Sequence, residues 1–165
     1  MEKEKLNLGC GQDINPEFVN VDIGDYGQDI NHDLNNFPYP FPDNRFDEVL
    51  MNHSLEHLKE PCDVIRELCR VCKSGSRIQI VVPYFSSPNM WSDPTHKSCF
   101  NWHTWERFGG VRILRRKIMY RSNSGFLKSK SLIIDSLINM YPVIFQRLFC
   151  YILPPSEIHV ELEVL

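Results

Sequence analysis

Gly9-Cys10-Gly11 stands between the run Leu6-Asn7-Leu8 and a second run, Val19-Asn20-Val21, that ends in Asp22. These are the residue types of a nucleoside pocket. A glycine lets the backbone turn sharply and approach a ligand closely, because no Cβ stands in the way. A carboxylate just past the second run suits a ribose, whose two hydroxyls both donate to it. The dinucleotide fingerprint fails on spacing: Ile14 occupies the place of its third glycine, and Asp22 follows Gly11 by eleven positions, where roughly 20 are needed. No glycine loop ending in Gly-Lys-Ser/Thr is present, so no phosphate cradle is expected. One ribose without phosphates is the chemistry that fits.

Two further clusters carry reactive side chains. His53-Ser54-Leu55-Glu56-His57 satisfies H-x-x-E-H, which on a helix would put two histidines on one face for zinc, with the glutamate as base. Its context argues otherwise, since His53 falls at a strand-to-helix junction and Pro61 follows soon after. The segment Ser92 to Trp102 holds Asp93 and His96. An imidazole there could take the proton of an acceptor hydroxyl or amine, with Asp93 orienting it. The competing expectation is that Asp93 caps a turn and His96 bonds a backbone carbonyl. His103 is a reserve base. Tyr84, Phe85, Trp91, Trp102 and Trp105 would wall this region, although several suit a core equally well.

The elements that must position these groups read as alternating strands and helices. Strands are expected at Lys5 to Leu8, Phe18 to Asp22, Asp29 to Leu34, Phe46 to Asn52 and Arg77 to Val82. Strand four reads as a continuous apolar run suited to a buried parallel strand. Ten residues separate Leu8 from Val19, too few for an ordinary parallel crossover, so the first crossover helix must be a turn or lost. Phe37 to Pro42 is a proline-stiffened loop. A helical region from Ser54 to Cys72 re-opens at Pro61 and is expected to end at Gly75. After an aromatic-rich connection come a strand (Val111 to Arg121), a helix (about Lys130 to Tyr151) and a last strand (Glu157 to Leu165).

Taken in order, LNLGCG, FVNVDI, HDLNNFPYPFPDNRFDEVLMNHSLEHL and the strand ending in VVPYF resemble the class I S-adenosylmethionine-dependent methyltransferase family, most closely its small type-11-like members. The resemblance runs from about residue 5 to about residue 108. It implies an α/β, doubly wound Rossmann-like sheet, mostly parallel with a C-terminal antiparallel strand, in one domain over residues 1–165. It implies S-adenosylmethionine as cofactor, with S-adenosylhomocysteine as product. Gly9, Cys10 and Gly11 would then line the methionine part, and Asp22 with Ile23 the ribose. Asp33 would accept from the adenine amino group with Leu34 beside the ring, although Asp29 lies close enough to compete. Asn52 and His53 would meet the cofactor's amino-acid end. Asn7 departs from the family, which usually carries a carboxylate there.

The activity so implied is methyl transfer to an O or N atom of a small molecule or glycan. The alternatives are a cofactor-binding subunit without turnover and a zinc hydrolase built on the HSLEH segment. No metal is expected otherwise: Cys69 and Cys72 form a CxxC without the second pair a structural zinc would want. Six cysteines read as reduced thiols of a cytoplasmic protein. With 18 basic and 21 acidic residues the net charge is −3, which gives no electrostatic case for nucleic acid. The local cluster Arg112, Arg115, Arg116, Lys117 and Arg121 reads as a solvated face. No signal peptide is expected, and Leu132 to Leu153 is too interrupted to span a membrane. Its apolar residues invite a homodimer contact.

Overall fold

The structure is a computed structural model that describes residues 4–120 and 131–165. Its strands are β1 (Lys5–Leu8), β2 (Val19–Asp22), β3 (Ile30–Asn31), β4 (Phe46–Asn52), β5 (Cys72–Pro83), β6 (Val111–Met119) and β7 (Glu157–Val164). They form one sheet in the order β3-β2-β1-β4-β5-β7-β6. β1 to β5 pair in parallel, and β7 inserts antiparallel to both β5 and β6. This is the mixed sheet expected, with the antiparallel strand at the C-terminal end of the chain. Arg121 and Lys130, expected in the sixth strand and the later helix, lie outside the described residues.

The helices are α1 (Pro61–Val71), α2 (Pro88–Ser92), α3 (Ser131–Met140) and α4 (Pro142–Leu148), with short 3-10 turns at Leu55–His57 and Thr104–Arg107. Pro61 opens α1, where a missing N–H costs nothing. Val64, Ile65, Leu68 and Val71 recur on one helical face and are buried in the core with Val49, Ile78 and Ile80. Gly75 does not end this helix, contrary to the expectation from sequence. The backbone N–H groups of Asn44 and Arg45 donate to the carbonyls of Arg70 and Val71 (2.9 and 2.8 Å), and the chain turns extended at Cys72. Gly75, at φ +83°, lies instead in an irregular stretch of β5 where the pairing jumps from Phe46↔Cys72 to Glu48↔Arg77. The single later helix expected is two, because Pro142 cannot donate the hydrogen bond that would continue α3.

No helix joins β1 to β2; residues 9–18 form turns. Right-handed crossovers moving in opposite directions from the β1/β4 junction lie on opposite sheet faces. With α1 packed on the core face, the first crossover faces the other side. Asn20, Asn7, Leu50, Gln79 and Glu161 are paired across adjacent strands and share that side. Lys5 pairs with Glu48 (3.0 Å), Gln79 donates to Glu48 (3.0 Å) and Arg77 reaches Glu161 (3.4 Å) there. β4 is therefore not the doubly buried apolar run expected: its core residues Phe46, Val49 and Met51 are interleaved with more exposed positions.

Candidate functional site

The strand order reverses at β1, so the crevice beyond the carboxyl ends of β1 and β4 is the topological switch point where open α/β sheets bind ligands. Three of the expected site residues are delivered there by strand ends: Gly9 after β1, Asp22 at the end of β2 and Asn52 at the end of β4.

Gly9 has φ +64°, and a Cβ on it would stand 2.3 Å from the Ser54 Cβ. Ser54 in turn donates to the Leu8 carbonyl (3.1 Å), fastening the segment after β4 to the end of β1. The amides of Gly9 and Cys10 both donate to the Val21 carbonyl. The Asp22 carboxylate accepts from the backbone N–H groups of Gly11 (2.8 Å) and Gly24 (2.9 Å), one on each oxygen. It is thus aimed by two turns and keeps unused lone pairs on both oxygens. Ile23 beside it is exposed, whereas Cys10 is buried. Burial, then the charge of Asp22, pushes the Cys10 thiol pKa up. Gly9, Cys10, Asn7 and Asn52 line a cavity of about 290 Å³, completed by Leu50, Gln79 and Val81 of the helix-free face.

Asn7 is engaged within the protein: its Nδ2 donates to the Asp13 carbonyl and to Asn20 Oδ1, both at 3.0 Å. Asp29 accepts from both the backbone N–H and the side-chain amide of Asn20 (2.8 and 3.0 Å). Asp33 instead lies beyond β3, where the Asn35 backbone N–H and amide hold its carboxyl below the usual range. Leu34 next to it is buried.

His53 has φ +50°. Its ring stands 3.3 Å from Glu157 at the start of β7 and 3.3 Å from Glu56. The Glu157 hydrogen bond, then Glu56, raises its pKa to about 9. This geometry removes the zinc-hydrolase arrangement expected as an alternative: only Leu55–His57 is helical, in a 3-10 turn, so His53 and His57 do not share a helix face. Glu157 carried no sequence signal, because it lies 104 positions from His53 and reaches it only through the β5–β7 pairing.

In the loop after β5, His96 Nδ1 bonds the Met90 carbonyl (2.9 Å) and its Nε2 stands 4.0 Å from Asp93. Asp93 accepts from the Thr95 hydroxyl (2.6 Å) and backbone N–H (2.8 Å), which lower its pKa. Both features of the turn-and-carbonyl expectation are thus present, and the imidazole still has its Nε2 unengaged by a close donor or acceptor. The His96 ring packs 4.7 Å from that of His57. His103 lies apart, 3.3 Å from Glu106. Of the expected aromatic wall, Tyr84 and Trp105 are core residues, Phe85 and Trp102 are half-buried, and Trp91 is exposed. Two of the clustered basic residues are paired, Arg112 with Glu163 and Arg116 with Glu106. Cys69 and Cys72 are free thiols split between α1 and β5.

Residues 6–80 match a family described as a methyltransferase domain. Ajmaline N-methyltransferase of Rauvolfia serpentina is 34% identical over 85 residues, covering 47% of this chain but only 29% of the relative. The chain thus spans less than a third of the length of that curated relative. Among solved structures, a SAM-dependent methyltransferase from Archaeoglobus fulgidus superposes with TM-score 0.66 at 18% identity, over 96% of this chain and 85% of its own. The [4+2]-cyclase SpnF superposes with TM-score 0.64 at 15% identity, over 97% and 74%. At these identities the likeness is one of fold, and the fold hosts more than one reaction.

Proposed function

We propose that the chain, whose residues 6–80 match a methyltransferase-domain family, is a class I methyltransferase domain of the type-11 kind that binds S-adenosylmethionine and moves its methyl group to an O or N atom of a small molecule or glycan. The observation that carries this reading is the Asp22 carboxylate, fixed by Gly11 and Gly24 at the switch-point crevice with lone pairs to spare for a ribose diol. In the proposed pose, the Gly9-Cys10-Gly11 turn borders the methionine part and Ile23 follows the ribose. Asp33 and Leu34 take the adenine, while Asn52 and His53 face the amino-acid end.

The chemistry asks little of the protein's acids and bases. Displacement at the methyl carbon of a sulfonium has a good leaving group, so alignment and exclusion of water supply most of the acceleration. A base matters when the acceptor is an alcohol. His96, through Nε2, is our candidate, with Asp93 nearby. A second reading, a cofactor-binding subunit without turnover, is favoured by Asn7, whose donors are engaged by Asp13 and Asn20 where the family carries a carboxylate.

No helix among the described residues is long and apolar enough to cross a membrane. A homodimer contact, if formed, would use the face where Leu137, Tyr141, Ile144 and Leu148 are exposed; sedimentation velocity at rising concentration reads it, and a monomer throughout removes it from the reading. The main test is calorimetric titration with S-adenosylmethionine. Wild type should bind with one site, and Asp22→Asn should bind at least tenfold more weakly with an unchanged fold by circular dichroism. Absence of binding by wild type, or full affinity in the variant, overturns the assignment of this pocket.

A further inference from the structure

We propose that Glu56, His57 and His96, from the turn after β4 and the loop after β5, form a binding site for a first-row divalent metal ion. One ligand atom from each residue lies within 4.8 Å of the others. Glu56 sits in the 3-10 turn after β4 and is fully buried, and neither of its carboxylate oxygens has a hydrogen-bond partner among the described residues. Its Oε1 stands 3.3 Å from Nδ1 of the His53 ring. A buried carboxylate held this way is costly unless something compensates its charge more fully.

In each imidazole Nδ1 is engaged by a hydrogen bond. His96 directs Nδ1 at the Met90 carbonyl, which can only accept, so Nδ1 carries the proton and Nε2 the lone pair in the neutral ring. His57 directs Nδ1 at the Thr95 hydroxyl (2.9 Å), whose one proton is given to Asp93 at 2.6 Å. Thr95 therefore accepts from His57 Nδ1–H, and the His57 lone pair also falls on Nε2. Such outer partners, a backbone carbonyl on one ring and a carboxylate-backed hydroxyl on the other, fix the tautomer and orientation of ligating histidines. Asp93 also stands 4.0 Å from His96 Nε2, adding negative charge beside the site.

Two nitrogens and one carboxylate suit zinc, manganese or iron(II) and leave positions open. Ligands of a tetrahedral ion at about 2.1 Å stand about 3.4 Å apart, so closing the cluster asks for side-chain shifts of about 1 Å.

The binding rests on this geometry alone; its use rests on the methyl-transfer reading. An acceptor hydroxyl in an open position would ionise more readily, its proton leaving to water. The acceptor oxygen would then bond to the methyl carbon as the carbon–sulfur bond breaks, the pair staying on a neutral sulfide. His96 would serve as a ligand instead of a base, and an oxygen acceptor would be favoured over nitrogen.

The test is titration of the cofactor-free, untagged protein with Zn²⁺ and Mn²⁺, together with the visible spectrum of added Co²⁺. A Cys69→Ser/Cys72→Ser background excludes the thiol pair. One equivalent should bind, with a histidine-type and not thiolate-type Co²⁺ spectrum. His57→Ala, His96→Ala and Glu56→Gln should each weaken it at least 100-fold. Thr95→Ala keeps all three ligands and should weaken it about tenfold, so it reports even where a ligand variant fails to fold. No stoichiometric binding, or binding unchanged in the His57 and His96 variants, overturns the site. Because the titration omits S-adenosylmethionine, its failure is separate from a failure of the cofactor reading.

Discussion

Gly9 shows how one missing side chain builds the crevice. Its φ of +64° alone disfavours an L side chain, and Ser54 occupies the space that a Cβ would need. Gly9→Ala should destabilise the fold by about 2–4 kcal/mol, combining left-handed backbone strain with overpacking. Measured against Ser54→Gly alone, which already loses the hydrogen bond to the Leu8 carbonyl, the same change should recover the steric part, leaving about 1–2 kcal/mol. Urea unfolding of both single variants and the double variant measures this. Full recovery would mean that the backbone tolerates the left-handed alanine, and no recovery that the Ser54 contact is not the obstacle. Asp22 makes the complementary point, since a residue chosen for ribose also organises two turns and its loss loosens the site as well as the ligand.

At the scale of elements, α1 is tied to the proline-rich loop by one buried carboxylate. Glu67 accepts the Tyr39 N–H (2.7 Å) and pairs with Arg70, whose guanidinium also reaches the Tyr39 and Phe41 carbonyls and Asp43. The Arg70 hydrogen bond, ahead of the Tyr39 amide, holds the Glu67 pKa below its ordinary value. A depressed folded pKa means that stability is fully present above the unfolded value, about 4.3. It is lost as pH falls from there through the folded pKa. Glu67→Gln should cost about 1.5–3 kcal/mol at pH 7, the scale of a hydrogen bond to a charged group, and should flatten the stability decline below about pH 5. Unfolding curves from pH 3 to pH 7 read both. An unchanged acid slope in the variant would assign the decline to other carboxylates.

For the whole molecule, β7 is the strand on which closure depends, because it pairs along its length with β5 on one side and β6 on the other. Leu162 on it is fully buried, whereas Leu137 on α3 is 62% exposed. Leu162→Ala should cost about 2–5 kcal/mol, and Leu137→Ala about 0.5 kcal/mol or less. Chemical denaturation ranks them. A large loss at Leu137 would show that its face is covered in solution, which sedimentation of the same variant would locate to a contact between copies.

The sequence by itself determined the strand-turn-strand that ends in Asp22 and the lost first crossover helix, while the mostly parallel sheet and its antiparallel end followed from the family resemblance of the whole motif series. Local rules govern the first two: glycine spacing and a connection too short for a helix. Where a tertiary contact competed, the local rule lost. Gly75 marks a bulge because Asn44 and Arg45 already satisfy the end of α1. β4 is interleaved with polar residues because no crossover helix lies over its second face. The partner of His53 is Glu157, brought by strand order from the far end of the chain, and His57 meets His96 instead of His53 because the turn after β4 is too short to be a helix. Chemistry set by neighbours in sequence was legible there; chemistry set by residues that the sheet brings together was decided by the tertiary structure, since strand order and the paths of loops carry no local spacing.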